Sequence, residues 1–143
     1  LIGGKTDVIM MLNGALAGLV AITAEPLTPS PLAAIFIGAI GAIIMYFGTK
    51  MLESFGLDDV VGAIPVHMFA GIFGTLVVPA TNNETAFGTQ FIGTLSVVLF
   101  SFVLSYAVFV ALKATIGLRV SKEAERLGTD KAEIGVQAYA IRD

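Results

Sequence analysis

The sequence has 143 residues, of which 56% are hydrophobic and 13% charged, about half the charged share of an ordinary soluble domain. With a mean hydropathy of +0.89 there are too few polar groups to cover a soluble surface, so lipid is the expected solvent. A formal net charge of −3 leaves no basic footprint for DNA or RNA, and the absence of cysteine excludes a disulfide framework, a thiolate metal site and a thiol nucleophile.

Opening at Leu1, inside what reads as a loop, the chain is expected to be a piece of a longer protein. A membrane-spanning helix needs roughly 20 mostly apolar residues, and the charge-free stretches supply four. The first covers residues 8–24 and is interrupted only by Asn13. The second covers 28–49, with Pro31 near its start, where the missing N–H of proline costs little. The third, 60–80, contains His67. The fourth, 85–112, is long enough to cross with some tilt. Residues 1–112 therefore read as the membrane part of an all-α membrane protein with four transmembrane helices, and residues 113–143 as a polar tail.

Positive charge in short loops is biased to the cytoplasmic side of a membrane. Four crossings place both ends and the 50–59 loop on one side. Lys5, Lys50, Lys113, Arg119, Lys122, Arg126, Lys131 and Arg142 all fall there, while the opposite loops carry only Glu25 and Glu84. The segregation supports the four-span count and predicts a cytoplasmic C-terminal tail, and the expected location is the cell (inner) membrane.

Helices in lipid associate through close backbone approach, so small residues four apart mark contact faces. Gly14 and Gly18 in the first span, and Ala34, Gly38 and Ala42 in the second, have that spacing. They are expected to be packing devices without bearing on substrate. In the fourth span Phe102, Tyr106 and Phe109 form a stripe expected to face lipid or another subunit.

His67 is the one strongly ionisable side chain inside any predicted span. It lies eight residues past Asp59, roughly 12 Å along a helix axis and so near the bilayer centre. A polar group at that depth needs a partner or a water-lined cavity and is a functional candidate by default. Charging it there costs more still, so a neutral imidazole is expected. Val60, Ala63, Ile64, Ala70, Gly71 and Gly74 are predicted to share its helical face, and Pro65 to kink the helix. The bland alternative is a histidine that only bonds two helices together. Metal ligation is not expected, because no second histidine, cysteine or membrane-embedded carboxylate accompanies it, and no cofactor is expected either. Asp58 and Asp59, just before the third span, are expected to cap its free N–H groups, with attraction of cations as the alternative.

The run Asp58-Asp59-Val60-Val61-Gly62-Ala63-Ile64-Pro65-Val66-His67, followed by Gly71 and Gly74, resembles the histidine-bearing tenth span of the ammonium transporter (Amt/Mep/Rh) family. Asn13-Gly14-Ala15-Leu16-Ala17-Gly18-Leu19-Val20-Ala21-Ile22-Thr23 resembles its eighth span. Gly117-Leu118-Arg119-Val120, with Gly128, Asp130, Gly135, Ala138 and Tyr139 behind it, resembles the start of its cytoplasmic tail. The resemblance implies an eleven-helix, homotrimeric fold with one hydrophobic pore per subunit, of which this chain would supply spans eight to eleven.

By the same resemblance, ammonium is deprotonated at the outer mouth and crosses as ammonia past two hydrogen-bonded histidines. His67 matches the second of the pair, with Ala63 beside it on the pore wall. Gly117, Leu118 and Arg119 match a regulatory tail that contacts neighbouring subunits and the PII signalling protein. Relatives commonly place histidine and glutamate around the glycine at Gly135, whereas here Ile134 and Val136 stand there, which weighs against PII docking. A plainer reading makes Lys122 to Lys131 a solvated helix of mixed charge. Transport, not enzymatic catalysis, is the leading expectation. An ammonium sensor of the same fold coupled to a signalling domain and a non-conducting membrane assembly module are the alternatives.

Overall fold

A computed structural model of the chain describes residues 6–138; Lys5, Tyr139 and Arg142 lie outside them. The described residues form helices and connections, without a strand among them. By packing, the chain divides into two units, one reaching to Val98 and one starting at Leu99.

Helix α1 spans Val8–Thr23 and opens at Asp7, whose side chain accepts the Met10 N–H at 3.0 Å. Helix α2 spans Pro31–Ser54. Ser30 caps it by accepting the Ala33 N–H at 3.2 Å, and Pro31 takes the first turn, where it forfeits no helical bond. This cap moves the start three residues past the expected one. The end also lies further on, because the stop is written at Gly56. There φ is +68°, Gly56 N–H donates to Glu53 O at 3.0 Å, and Leu57 N–H donates to Leu52 O at 3.1 Å. That bond pair is a glycine-terminated helix end. The helix thus runs past Lys50, which is exposed and paired with Glu53 at 2.9 Å, an ion pair worth little in water.

The third helical segment changes pitch along its length: a π segment over Ile64–Phe69, helix α3 over Ala70–Val77, and a 3-10 turn over Val78–Ala80. Helix α4 spans Phe87–Thr115, and α5 covers Lys122–Leu127. At 1.5 Å per residue, α2 is about 36 Å long and α4 about 44 Å, both beyond the roughly 30 Å hydrocarbon layer. These two are long and apolar enough to cross a membrane, while Val8–Thr23 and Ile64–Ala80 are shorter apolar helices.

In the first unit α1, α2 and the third segment pack on one another. Ala17, Met45, Val66 and Ala70 form the centre, each at most 2% exposed. Small residues let the backbones close in, as expected: a Cβ on Gly18 would sit 3.2 Å from the carbonyl oxygen of Gly38. The tightest approaches lie elsewhere, however. Gly41 backs onto Ala17 O and Ala21, Gly74 onto the backbone of Ala21, and Gly48 onto the rings of Phe69 and Pro65. The buried stripe of α2 is Ile37, Gly41, Met45, Gly48 and Leu52. Its steps of four and three residues track one face, whereas a strict four-residue repeat drifts around the helix.

No residue of α4 is buried. Phe102 and Tyr106 stack at 6.2 Å and, with Phe109, are well exposed.

In the second unit Ile116 and Gly117 N–H groups both donate to Leu112 O at 3.0 Å, and Gly117, at φ +83°, ends α4. Ser121 caps α5 through the Ala124 N–H at 3.1 Å. A π turn over Asp130–Ile134 follows, closed by the Asp130 carboxylate accepting the Ala138 N–H at 2.8 Å. That bond, then the N–H of Lys131, holds the Asp130 carboxyl below the ordinary carboxylate range.

Candidate functional site

The start of the third helical segment is built from an accounting of backbone groups. Its first N–H groups have no helical partner. The Asp59 carboxylate accepts two of them, Ala63 N–H through Oδ1 at 2.9 Å and Ile64 N–H through Oδ2 at 2.8 Å. Pro65 has no N–H to satisfy, and Val66 N–H reaches Gly62 O at 3.2 Å. Asp58 is exposed, and among the described residues no hydrogen bond involves its carboxylate. Both aspartates line a cavity of about 170 Å³ with Thr49, Glu53, Gly62 and Pro65.

Pro65 has a second consequence, one residue type removed from a simple kink. A proline cannot donate to the carbonyl four residues back, and its ring crowds that carbonyl. That group is Val61 O, and the side-chain amide of Asn13 in α1 donates to it at 3.0 Å. Gly62 makes the approach sterically possible. Its φ is +72°, and a Cβ there would lie 2.5 Å from Asn13 Nδ2. Beyond this turn the backbone bonds widen: Ala70 N–H reaches Pro65 O, five residues back, as well as His67 O. Single π turns of this sort gather at functional sites.

The extra residue per turn rotates the face that His67 shares. Pro65, Val66, Ala70, Gly74 and Val78 are buried against α1 and α2. Ala70 and Gly74 therefore leave the expected histidine face and become core. His67 lies on the other side, exposed, with Ala63, Ile64 and Met68 also exposed. Among the described residues no hydrogen bond involves the imidazole. The structure thus brings Asp59 onto the helix start and sets His67 on an apolar outer face beside Ala63.

At the other end of the bundle, Asn82 Nδ2 donates to Glu25 Oε2 at 3.0 Å, so the α1–α2 and α3–α4 connections meet. In the tail, Leu118 and Arg119 are exposed, as are Ile134 and Val136.

Asn13 is the residue that sequence reasoning passed over as a mere interruption. The signal was available: a lone amide in an apolar span, and a proline four residues after a carbonyl that would need a donor.

Apolar helices of this length, packed through glycine and carrying one imidazole on an apolar face, define a helical membrane protein. The Ammonium Transporter Family model matches residues 1–139, and the chain belongs to that family. It is 40% identical to the ammonium transporter Amt2 of Archaeoglobus fulgidus, over 95% of this chain and 33% of that protein. Identity is 35% with Amt2 of Methanocaldococcus jannaschii, over 97% and 35% respectively. With the ammonium transporter of Aquifex aeolicus it is 33%, over 96% and 36%. The chain spans about a third of the length of these relatives.

Proposed function

We propose that this chain forms one part of the wall of an ammonium transporter pore, with His67 and Ala63 facing the conduit. The observation that carries the reading is the placement of a lone imidazole on an otherwise apolar exposed face, formed with Ala63, Ile64 and Met68. In lipid such a face is costly for the histidine unless further protein or water covers it. The relatives are about three times longer than this chain, which is in keeping with additional helices closing the conduit.

The chemistry follows from the cost of charge. An ammonium ion cannot cheaply leave water for an apolar channel, so it gives a proton to water near the outer mouth, crosses as ammonia and takes up a proton from water on the far side. An imidazole can accept one hydrogen bond and donate another. His67 would therefore hand the uncharged molecule along, paired with a second histidine from elsewhere in the protein. No covalent bond forms, and the protein acts as a conduit and not as an enzyme.

In this reading the spans 8–24, 28–49, 60–80 and 85–112 cross the inner membrane, with the tail from residue 113 in the cytoplasm. The exposed aromatic stripe of α4 faces lipid or a neighbouring subunit of a homotrimer. Gly117, Leu118 and Arg119 belong to the tail's regulatory contacts, while Ile134 and Val136 weigh against PII docking.

The test is methylammonium uptake by the full-length protein, wild type against His67→Ala, at equal membrane abundance. A change in conduction, proton coupling or selectivity supports the pore role. Unchanged transport on all three counts overturns it and leaves His67 as a helix contact.

A further inference from the structure

We propose that Asn13 is a positioning residue for His67, holding the break at Pro65 in the register that turns the imidazole to the exposed face. The inference rests on the pore reading of His67 and assigns a role to a residue that does not itself reach the conduit.

Three observations converge on it. The Asn13 amide donates to Val61 O at 3.0 Å, the carbonyl whose helical donor would be the absent N–H of Pro65. The other end of the same turn is held by Asp59, which accepts from Ala63 and Ile64. Gly62 lies between these two anchors at φ +72°, with no room for a side chain beside Asn13 Nδ2. The turn is therefore pinned on both sides, to α1 by the amide and to its own helix by the carboxylate. His67 follows within the π segment that starts two residues after Gly62. A π segment is less favoured than an α-helix and persists where its surroundings hold it. Without the amide, Val61 O loses the donor that ties this turn to α1. The segment can then recover α pitch, and each residue regained rotates the imidazole by about 100° toward α1 and α2.

The experiment uses the full-length protein in proteoliposomes, with methylammonium uptake of each variant expressed relative to wild type at the same pH. Asn13→Ala should lower relative transport about fivefold, the factor that corresponds to the net loss of one hydrogen bond. Asn13→Asp fills the same space, but as a carboxylate it accepts and cannot donate to Val61 O, so at neutral pH it should lose transport as Asn13→Ala does. Asn13→Gln, which brings back an amide N–H donor, should recover part of the loss. A packing role alone would leave Asn13→Asp close to wild type.

If Asn13→Ala matches wild type while His67→Ala does not, or if Asn13→Asp transports like wild type at neutral pH, the positioning role is overturned and the pore reading stands. If His67→Ala is itself silent, the pore reading fails with it.

Discussion

Gly18 and Gly38 meet backbone to backbone, so that a Cβ on the first would come 3.2 Å from the carbonyl oxygen of the second. Together with the still tighter seat of Gly41 on Ala17 O and Ala21, it lets α1 and α2 lie close. The consequence for substitutions is a graded one, decided by whether the atom in the way can move.

At Gly74 the obstacle is the backbone of Ala21, which cannot swing aside. We expect Gly74→Ala to destabilise the folded protein by about 1–3 kcal/mol, the ordinary cost of overpacking. Gly14→Ala should be close to neutral, since its nearest neighbour, at 3.7 Å, is the flexible end of Met45. Thermal unfolding in detergent distinguishes them, and equal midpoints would contradict the packing described.

Asp59 and Asp58 separate in the same way. Removing the carboxylate that serves Ala63 and Ile64 should cost about 0.5–2 kcal/mol, and Asp58→Ala less than about 0.5 kcal/mol. Hydrogen exchange at Ala63 and Ile64 should quicken in Asp59→Ala and remain as in wild type in Asp58→Ala.

The tie between Asn82 and Glu25 joins two connections that are 57 residues apart. Its loss in Glu25→Ala or Asn82→Ala should cost about 1 kcal/mol, and the double variant should cost little more than either alone. Additive losses in unfolding midpoints would show that the two side chains act separately.

Asp130 supplies a pH dependence. Its folded carboxyl lies below the usual value of 3.8 because it accepts the Ala138 N–H and then that of Lys131. Its contribution to the tail fold is therefore present above that usual value and is lost as pH falls through the lower folded one. Amide exchange at Ala138, taken relative to the intrinsic rate at each pH, should stay slow at neutral pH and approach that rate as the solution is acidified below about pH 4. In Asp130→Ala it should be fast throughout, and a slow Ala138 in that variant would exclude the bond as its protection.

Much of this arrangement was legible beforehand, for reasons that can be named. The four apolar stretches, the positive charge confined to one set of loops and the lone His67 follow from the cost of placing charge in lipid, which acts on composition alone. The start of α1 at Val8 was read from where the charged residues end, while that of α2 was placed at residue 28, three residues before the one that the Ser30 cap sets. The stripe through Gly41 and Gly48 and the change of pitch at Ile64–Phe69 were not readable, since each depends on what a neighbouring helix presents, whereas the stop at Gly56 is local and was passed over. The expected face around His67 failed in part for this reason: Ala70 and Gly74 share it in an ideal helix, but the π turn gives them to the core.

The sequence by itself therefore determined the solvent, the number of apolar helices and the family, because hydropathy and charge need no partner to take effect. Tertiary structure alone decided which side of the third segment is buried and which residue steadies its broken start. A carbonyl orphaned by Pro65 finds its donor 48 residues away in Asn13, and the packing of two helices brings them within reach.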